Sequence, residues 1–316
     1  MQVYVLKRTL SVIPALLGIS VLVFLLLRLV PGDVVDQMLG AQNTITEGQR
    51  QSLRHFFGLD QPLPVQFWEW IRRVAVGDLG ASFRTATPVS QLLLSRLPVT
   101  LELTVLSVLI GSAIGISTGT VAAVWRHTPI DDGARVVSLF GLSIPEFWQG
   151  TMLLLMTSLW LHWIPPVDYV APWEDPLRNL TIMVLPALSL GTVLAANVTR
   201  MTRSALLDVL SRDYIRTARA KGLMERAVVM RHGLKNALIP VITVSGLQIG
   251  YLLGGAVIVE QVFTLPGVGR LLLDSIYGRD YPVVQGAVLV IAFGFVLVNL
   301  CVDLLYAVLD PRISYA

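Results

Sequence analysis

Two pairs of polar side chains interrupt apolar stretches of this chain. Glu146 and Gln149, in SIPEFWQG, are three residues apart, and Asn299 and Asp303 are four apart, so each pair shares a helix face. An ionisable group in a hydrocarbon environment faces a cavity or a partner, which makes both pairs candidates for a polar solute pathway. The competing reading is an interhelical hydrogen bond that only fixes packing. A third set lies in DYIRTARAKGLMERAVVMRHGLKNALIP, residues 213–240, where cations alternate with small residues between two apolar runs. Asp213 is placed to cap a helix over 214–221, and Gly222 to end it in the left-handed conformation that glycine tolerates. At 3.6 residues per turn, Tyr214, Thr217, Ala218 and Lys221 fall on one face of that helix, with Arg216 and Ala220 on the other. Small side chains between reaching polar ones suit a helix that enters a groove of another protein; charge alone would make it a topological anchor. Beyond it, Leu223, Ala227, Met230 and Leu234 form one stripe with Arg226 and Arg231 off it, the pattern of a helix lying along a membrane surface. Lys235 and Asn236 read as a turn, and Pro240 then falls early in the next apolar run, where a missing N–H is tolerated.

Motifs for enzyme chemistry are missing from the sequence. It has no GxxxxGK[ST] loop to cradle a nucleotide, no HExxH and no GxSxG. Of four histidines, His55 and His162 lie in or beside one outer region and His127 and His232 on the opposite side, which argues against a single metal site built from all four. The one cysteine, Cys301, cannot form an intramolecular disulfide and lies in an apolar run. The expectation is a chain with no catalytic centre, metal or cofactor of its own.

These residues sit on membrane spans. Of 316 residues, 54% are hydrophobic and 14% charged, and the mean hydropathy is +0.68; a soluble domain carries about 25% charged residues. Six apolar runs, at 9–30, 99–124, 136–161, 181–200, 237–262 and 283–308, are each near the ~20 residues that cross a ~30 Å hydrocarbon core as a helix. The first has Lys7 and Arg8 before it but RLVPGD after it rather than a small-residue cleavage site, so it reads as an uncleaved span. Placing the N-terminus inside puts nine Lys and Arg between Arg200 and Lys235 on the cytoplasmic side, together with Lys7, Arg8, Arg126, Arg135 and Arg312. Only Arg178, Arg270 and Arg279 then fall in short outer loops, and both termini are cytoplasmic. The net charge of +3 is explained by this topology, so no nucleic-acid partner is expected.

The division that follows is a first span over 1–30, a small helical insertion outside the membrane over 31–98, and a five-helix core over 99–316 that includes the cytoplasmic loop 201–235. Within the insertion, TEGQ at 46–49 reads as a capping box, Gly58 as a helix stop, Pro64 as a first-turn proline and TPVSQLLL at 87–94 as another helix start. Gly111, Gly115 and Gly119, and again Gly246, Gly250 and Gly254, recur every four residues and make smooth stripes for close helix packing. Glu102 and Glu260 fall near outer span ends, where hydration is expected.

DYIRTARAKG followed by HGLKNALIP resembles the cytoplasmic coupling loop of the integral-membrane permease subunits of ABC importers, in the dipeptide/oligopeptide/nickel class. The resemblance covers nearly the whole chain: KRTLSVIPALLGISVLVFLLLRLVPGD, FGLDQPLPVQFWEW, GDLGASFR, GGAVIVEQVFTLPGVGRLLLDSI, RDYPVVQG and VNLCVDLLYAVLDPRI appear in order. The family's short motif is usually described as Glu-Ala-Ala followed three residues later by Gly; here the matching positions are Ala218, Arg219 and Ala220, then Lys221 and Gly222, one residue closer. The resemblance implies an all-α fold of six transmembrane helices, the type I importer permease, in the bacterial inner membrane. It implies a second related permease subunit, two cytoplasmic ATPases that bind ATP and Mg, and an extracytoplasmic binding protein. Asp213, Tyr214, Arg216, Thr217, Ala218, Arg219, Ala220, Lys221 and Gly222 would form the part seated in the ATPase groove. Members of the class carry dipeptides, oligopeptides, glutathione, nickel complexes or oligosaccharides, and a small peptide is the leading expectation here. An ion-coupled secondary transporter and a non-transporting membrane scaffold are the alternatives from other classes.

Overall fold

A computed structural model describes residues 2–29, 48, 51, 52, 55 and 60–309. Ten helices organise them: α1 Gln2–Leu29, α2 Leu63–Ala75, α3 Val89–Val124, α4 Pro129–Ser143, α5 Glu146–Leu161, α6 Pro176–Leu210, α7 Asp213–Ala220, α8 Lys235–Val262, α9 Val268–Tyr277 and α10 Tyr281–Leu309. A short turn at Glu225–Ala227 and a π-helical stretch at Val228–Leu234 join α7 to α8. Among the described residues no strand forms, only one bridge between Ala81 and Pro88.

Among the described residues, four helices are long and apolar enough to cross a membrane: α1 over Arg8–Leu25, α3, α6, and α10 over Tyr281–Leu304. The fifth predicted span falls on α8. The third, 136–161, is not one helix. Pro145 lacks an N–H and pushes Ile144 into an extended conformation (φ −90°, ψ 128°), so α4 stops at Ser143 and α5 restarts at Glu146. With 15 and 16 residues, each half is about 23 Å long and falls short of a full crossing.

The insertion also divides differently from the sequence reading. Pro64 does sit in the first turn of α2, but the helix that starts after Pro88 does not end before the membrane. It runs on through Pro98 as α3, so residues 89–98 belong to the same rod as the second span. Thr46, Glu47 and Gln49 of the capping box and the stop at Gly58 lie outside the described residues. The loop before α3 is fastened to the start of α10: Asp280 accepts from the Ser82 hydroxyl and from the Phe83 N–H at 3.1 Å.

The core is built by α3, α6 and α8, through Leu103, Met183, Leu190, Leu194, Ala256 and Val259. Asp175 caps α6 by accepting the Arg178 N–H at 3.0 Å, with Pro176 in the first turn. The first glycine stripe is the α3–α6 seam: a Cβ on Gly111, Gly115 or Gly119 would lie 2.7, 2.5 and 2.6 Å from Gly191 O, Val198 Cβ and Thr199 O. Across it the Thr118 and Thr199 hydroxyls meet at 2.6 Å. The second stripe is only partly a seam. Gly246 and Gly250 receive Val302 and Phe295 of α10, whereas Gly254 has open space and its neighbour Gly255 takes the close contact instead, against the Glu146 carboxylate.

Candidate coupling surface

Helix α7 follows α6 after two residues and is amphipathic in a way the sequence only half discloses. Ile215 is fully buried and Ala218 is 7% exposed; both pack against Val228, with Leu210 alongside. Ala218 therefore points into its own chain. Asp213, Tyr214, Arg216, Thr217, Arg219, Ala220, Lys221 and Gly222 are exposed. The face assigned from sequence missed this because it was built on polar residues; the single large apolar side chain, Ile215, sets the inward direction, and Ala218 follows it at i+3. Asp213 is the first helical residue rather than the cap, which is Arg212, and its carboxylate faces Arg216 at 3.2 Å. Gly222 does end the helix, at φ +76°. The Gly222 N–H donates to Arg219 O at 2.9 Å and the Leu223 N–H to Ala218 O at 3.4 Å, the bonding pattern of a Schellman cap.

A second tie runs from α7 to α8. The Tyr214 hydroxyl donates to His232 O at 3.3 Å and accepts from Asn236 Nδ2 at 3.0 Å, and the same Nδ2 donates to His232 O at 3.0 Å. Lys235 and Asn236 make no turn; they are the first residues of α8. The stretch before them is π-helical, so its buried residues recur at five, Val228 and Val229 and then Gly233 and Leu234. That period replaces the predicted stripe: Leu223 and Met230 are exposed. Arg219 forks onto both Glu225 oxygens, at 3.0 and 2.6 Å, closing the bend after α7. The fork raises the arginine pKa and lowers that of the carboxylate.

The four pathway candidates separate. Glu146 stands at the N-terminus of α5, at the break, its carboxylate against Gly255 of α8 and its backbone carbonyl accepting from Ser189 at 3.0 Å. Gln149 turns back over that break, donating to Ile144 O at 3.0 Å and Gly141 O at 3.4 Å, so it satisfies carbonyls left free where α4 stops. Asn299 and Asp303 face α1 instead: Asp303 pairs with Arg8, and both line a small groove with Ser11 and Val12. The second pair thus holds α1 against α10.

Two buried carboxylates were not singled out from sequence. Glu260, expected to be hydrated, is fully buried. It accepts from the Thr100 hydroxyl at 2.6 Å and the Arg270 N–H at 2.9 Å, tying the interior of α3 and the end of α8 to the start of α9. Asp131, 1% exposed, is gripped by both Arg203 Nε and Nη2, at 2.5 and 2.7 Å, and also accepts the His127 N–H at 3.2 Å. The Arg203 bonds hold its pKa down at about 2. Glu102 accepts the Tyr169 hydroxyl at 2.6 Å, and burial together with that bond raises the tyrosine pKa.

Comparison with known proteins fits this architecture. Residues 115–315 match the family described as binding-protein-dependent transport system inner membrane component, and residues 1–104 match that system's membrane component N-terminal family. The chain is 46% identical over 313 residues to the glutathione transport system permease protein GsiC of Salmonella typhimurium (strain LT2), covering 99% of each chain. To the protein of that name from Escherichia coli (strain K12) it is 45% identical over 314 residues, again with 99% of each covered. A solved structure titled as an amino acid ABC transporter with histidines matches 71% of this chain and 95% of its own, at TM-score 0.50 and 18% identity, a likeness of fold alone. The chain belongs to the binding-protein-dependent inner membrane components: it is a multi-pass permease subunit of an ABC importer of the peptide/nickel class.

Proposed function

We propose that this chain is one of two channel-forming subunits that carry a small peptide, glutathione among the candidates, inward across the membrane. The chain crosses six times with both termini in the cytoplasm, and two partner ATPases bind ATP and Mg and seat on the exposed face of α7. The observation that carries this reading is the division of α7 into a docked face, Ile215 and Ala218, and an exposed polar one, Tyr214, Arg216, Thr217, Ala220 and Lys221. A helix held by its own chain on one side and open on the other can transmit a push. Glutathione is in essence a tripeptide, so the relatives' names and the class-level expectation of peptides meet in one substrate chemistry. The test is the complex with its natural partners in proteoliposomes, supplied with glutathione, dialanine, a tetrapeptide or a nickel–histidine complex. Stimulation of ATP hydrolysis and uptake by a peptide is expected. Stimulation by the nickel complex alone would remove the peptide reading, and uptake without ATP hydrolysis would remove the importer.

A further inference from the structure

On the α7 side of the bundle, α4 and α6 stand apart around an open groove of about 890 Å³, within the range of small-molecule sites. Its α6 wall carries a polar ladder, Asn197, Arg200, Arg203 and Ser204, with Met201 among them, rising about 10 Å along a helix whose other faces are buried in the core. Its α4 wall presents Asp132 and Arg135 together with Val136 and Leu139. The charges do not balance. Arg203 is matched by Asp131, a pair that also clamps the start of α4 to α6 and so fixes the groove's width. Arg135 lies 3.4 Å from Asp132 of its own helix. Among the described residues of the groove, that leaves the Arg200 guanidinium in excess. A polar ladder on a membrane-crossing helix faces water or a polar solute rather than acyl chains, and a guanidinium fork is the side chain best shaped for a carboxylate.

We propose that this groove is an anion site at the cytoplasmic mouth of the pathway, in which Arg200, with Arg135 opposite, receives a carboxylate of the transported peptide before release. The assignment rests on the peptide-importer reading above and extends it to a stage of transport. The same oxyanion chemistry is offered by a phospholipid phosphate.

The experiment uses the complex with its partners in nanodiscs, with Ser204→Cys placed in a Cys301→Ser background. The new thiol is modified by methanethiosulfonates of similar size, one bearing a sulfonate and one a trimethylammonium. The sulfonate reagent should react at least about threefold faster, relative to a free thiol, because one to two partly hydrated cations stand nearby. Arg200→Gln should remove that preference and Arg200→Lys should keep most of it. Trialanine should slow the modification, while its C-terminal amide should not. Equal protection by the amide, or none by either peptide, overturns the site. Modification that responds to the phosphatidylglycerol content of the nanodisc and not to peptide assigns the groove to lipid and overturns it as well. Peptide-stimulated ATP hydrolysis is measured on the same samples: its absence counts against the importer reading, whereas stimulation without protection counts against the anion site alone.

Discussion

Two alanines on α7, two residues apart, should respond very differently to the same substitution. Ala218 faces Ile215 and Val228, whereas Ala220 is exposed. Ala218→Asp puts a carboxylate into an apolar contact with no donor in reach, a change of about 1–3 kcal/mol for a polar group and more for a charge. The burial of Ile215, which anchors the helix, contributes roughly 1.5–3 kcal/mol. The penalty is thus comparable with the main docking term, and α7 should open locally while the α3–α6–α8 core stays folded. A loss of roughly 2–3 kcal/mol raises the open population about 30- to 150-fold. Trypsin reads this directly, because Arg216 and Arg219 lie on the helix and cleavage follows the open fraction when reclosing is fast. In nanodiscs, Ala218→Asp should be nicked at these arginines faster by that factor. Ala220→Asp should change nicking by about twofold, as an exposed substitution costs roughly 0.5 kcal/mol. In the assembled complex the order reverses in meaning: Ala220→Asp should weaken ATPase association directly, with α7 still docked. Equal nicking of the two variants would falsify the inward assignment of Ala218.

Other expectations follow from the same contacts. Cysteines at Val76 and Met224, both highly exposed, in a Cys301→Ser background should be labelled by an impermeant reagent from opposite membrane sides; labelling of both from one side refutes the charge-based topology. Because the Asp131 carboxylate has its pKa lowered to about 2 from 3.8, its contribution to stability is complete above about pH 5 and is lost as pH falls through 3.8 toward 2. Thermal unfolding at pH 7 and pH 3 should therefore show Asp131→Asn lowering the midpoint at pH 7 and narrowing the difference between the two, and an unchanged difference would count against the pair. Glu260→Ala strands the Thr100 hydroxyl and the Arg270 N–H in a buried corner at about 2–4 kcal/mol, whereas Glu260→Gln keeps an acceptor and should retain much of the midpoint. Matching losses in the two variants would show that the acceptor is not what matters.

Much of the fold was written in hydropathy, because the length of an apolar run and the need to pair its backbone in lipid leave little choice but a helix. The first glycine stripe likewise named a true seam, since nothing larger than glycine fits between α3 and the Val198 and Thr199 positions of α6. What hydropathy misses is where a span breaks: SIPEFW is apolar enough to pass as continuous, yet Pro145 divides it, and the proline rule was the signal available. The cation-rich segment does fold as the short helix that its residues predict, but its buried face is not legible in its charges. Ile215 outweighs the polar pattern over one short helix, and the π stretch that follows moves buried positions to a spacing of five, which no α-helical projection reproduces. Glu260 was discounted because its sequence distance from a span end suggested water; its partners, Thr100 and Arg270, come from other elements and cannot be seen in the linear chain.

The arrangement around α7 gives a mechanical argument. The helix is joined covalently to α6 through Ser211 and Arg212, and it is held to the α8 side by the Ile215–Ala218–Val228 contact and the Tyr214–His232–Asn236 hydrogen bonds. A displacement of α7 is therefore delivered to both long helices, not to a loop. Those helices share the Leu190–Leu194 and Ala256–Val259 core, so they cannot slide independently without opening packed apolar surface. Both helices adjoin the α4–α5 break, where Glu146 meets Gly255 of α8 and Gln149 bridges interrupted carbonyls. A break that both α6 and α8 touch, through Ser189 and Gly255, is where a movement of the core is most easily absorbed. In the proposed importer reading, a push on α7 would be taken up at this break, beside the Glu146 carboxylate.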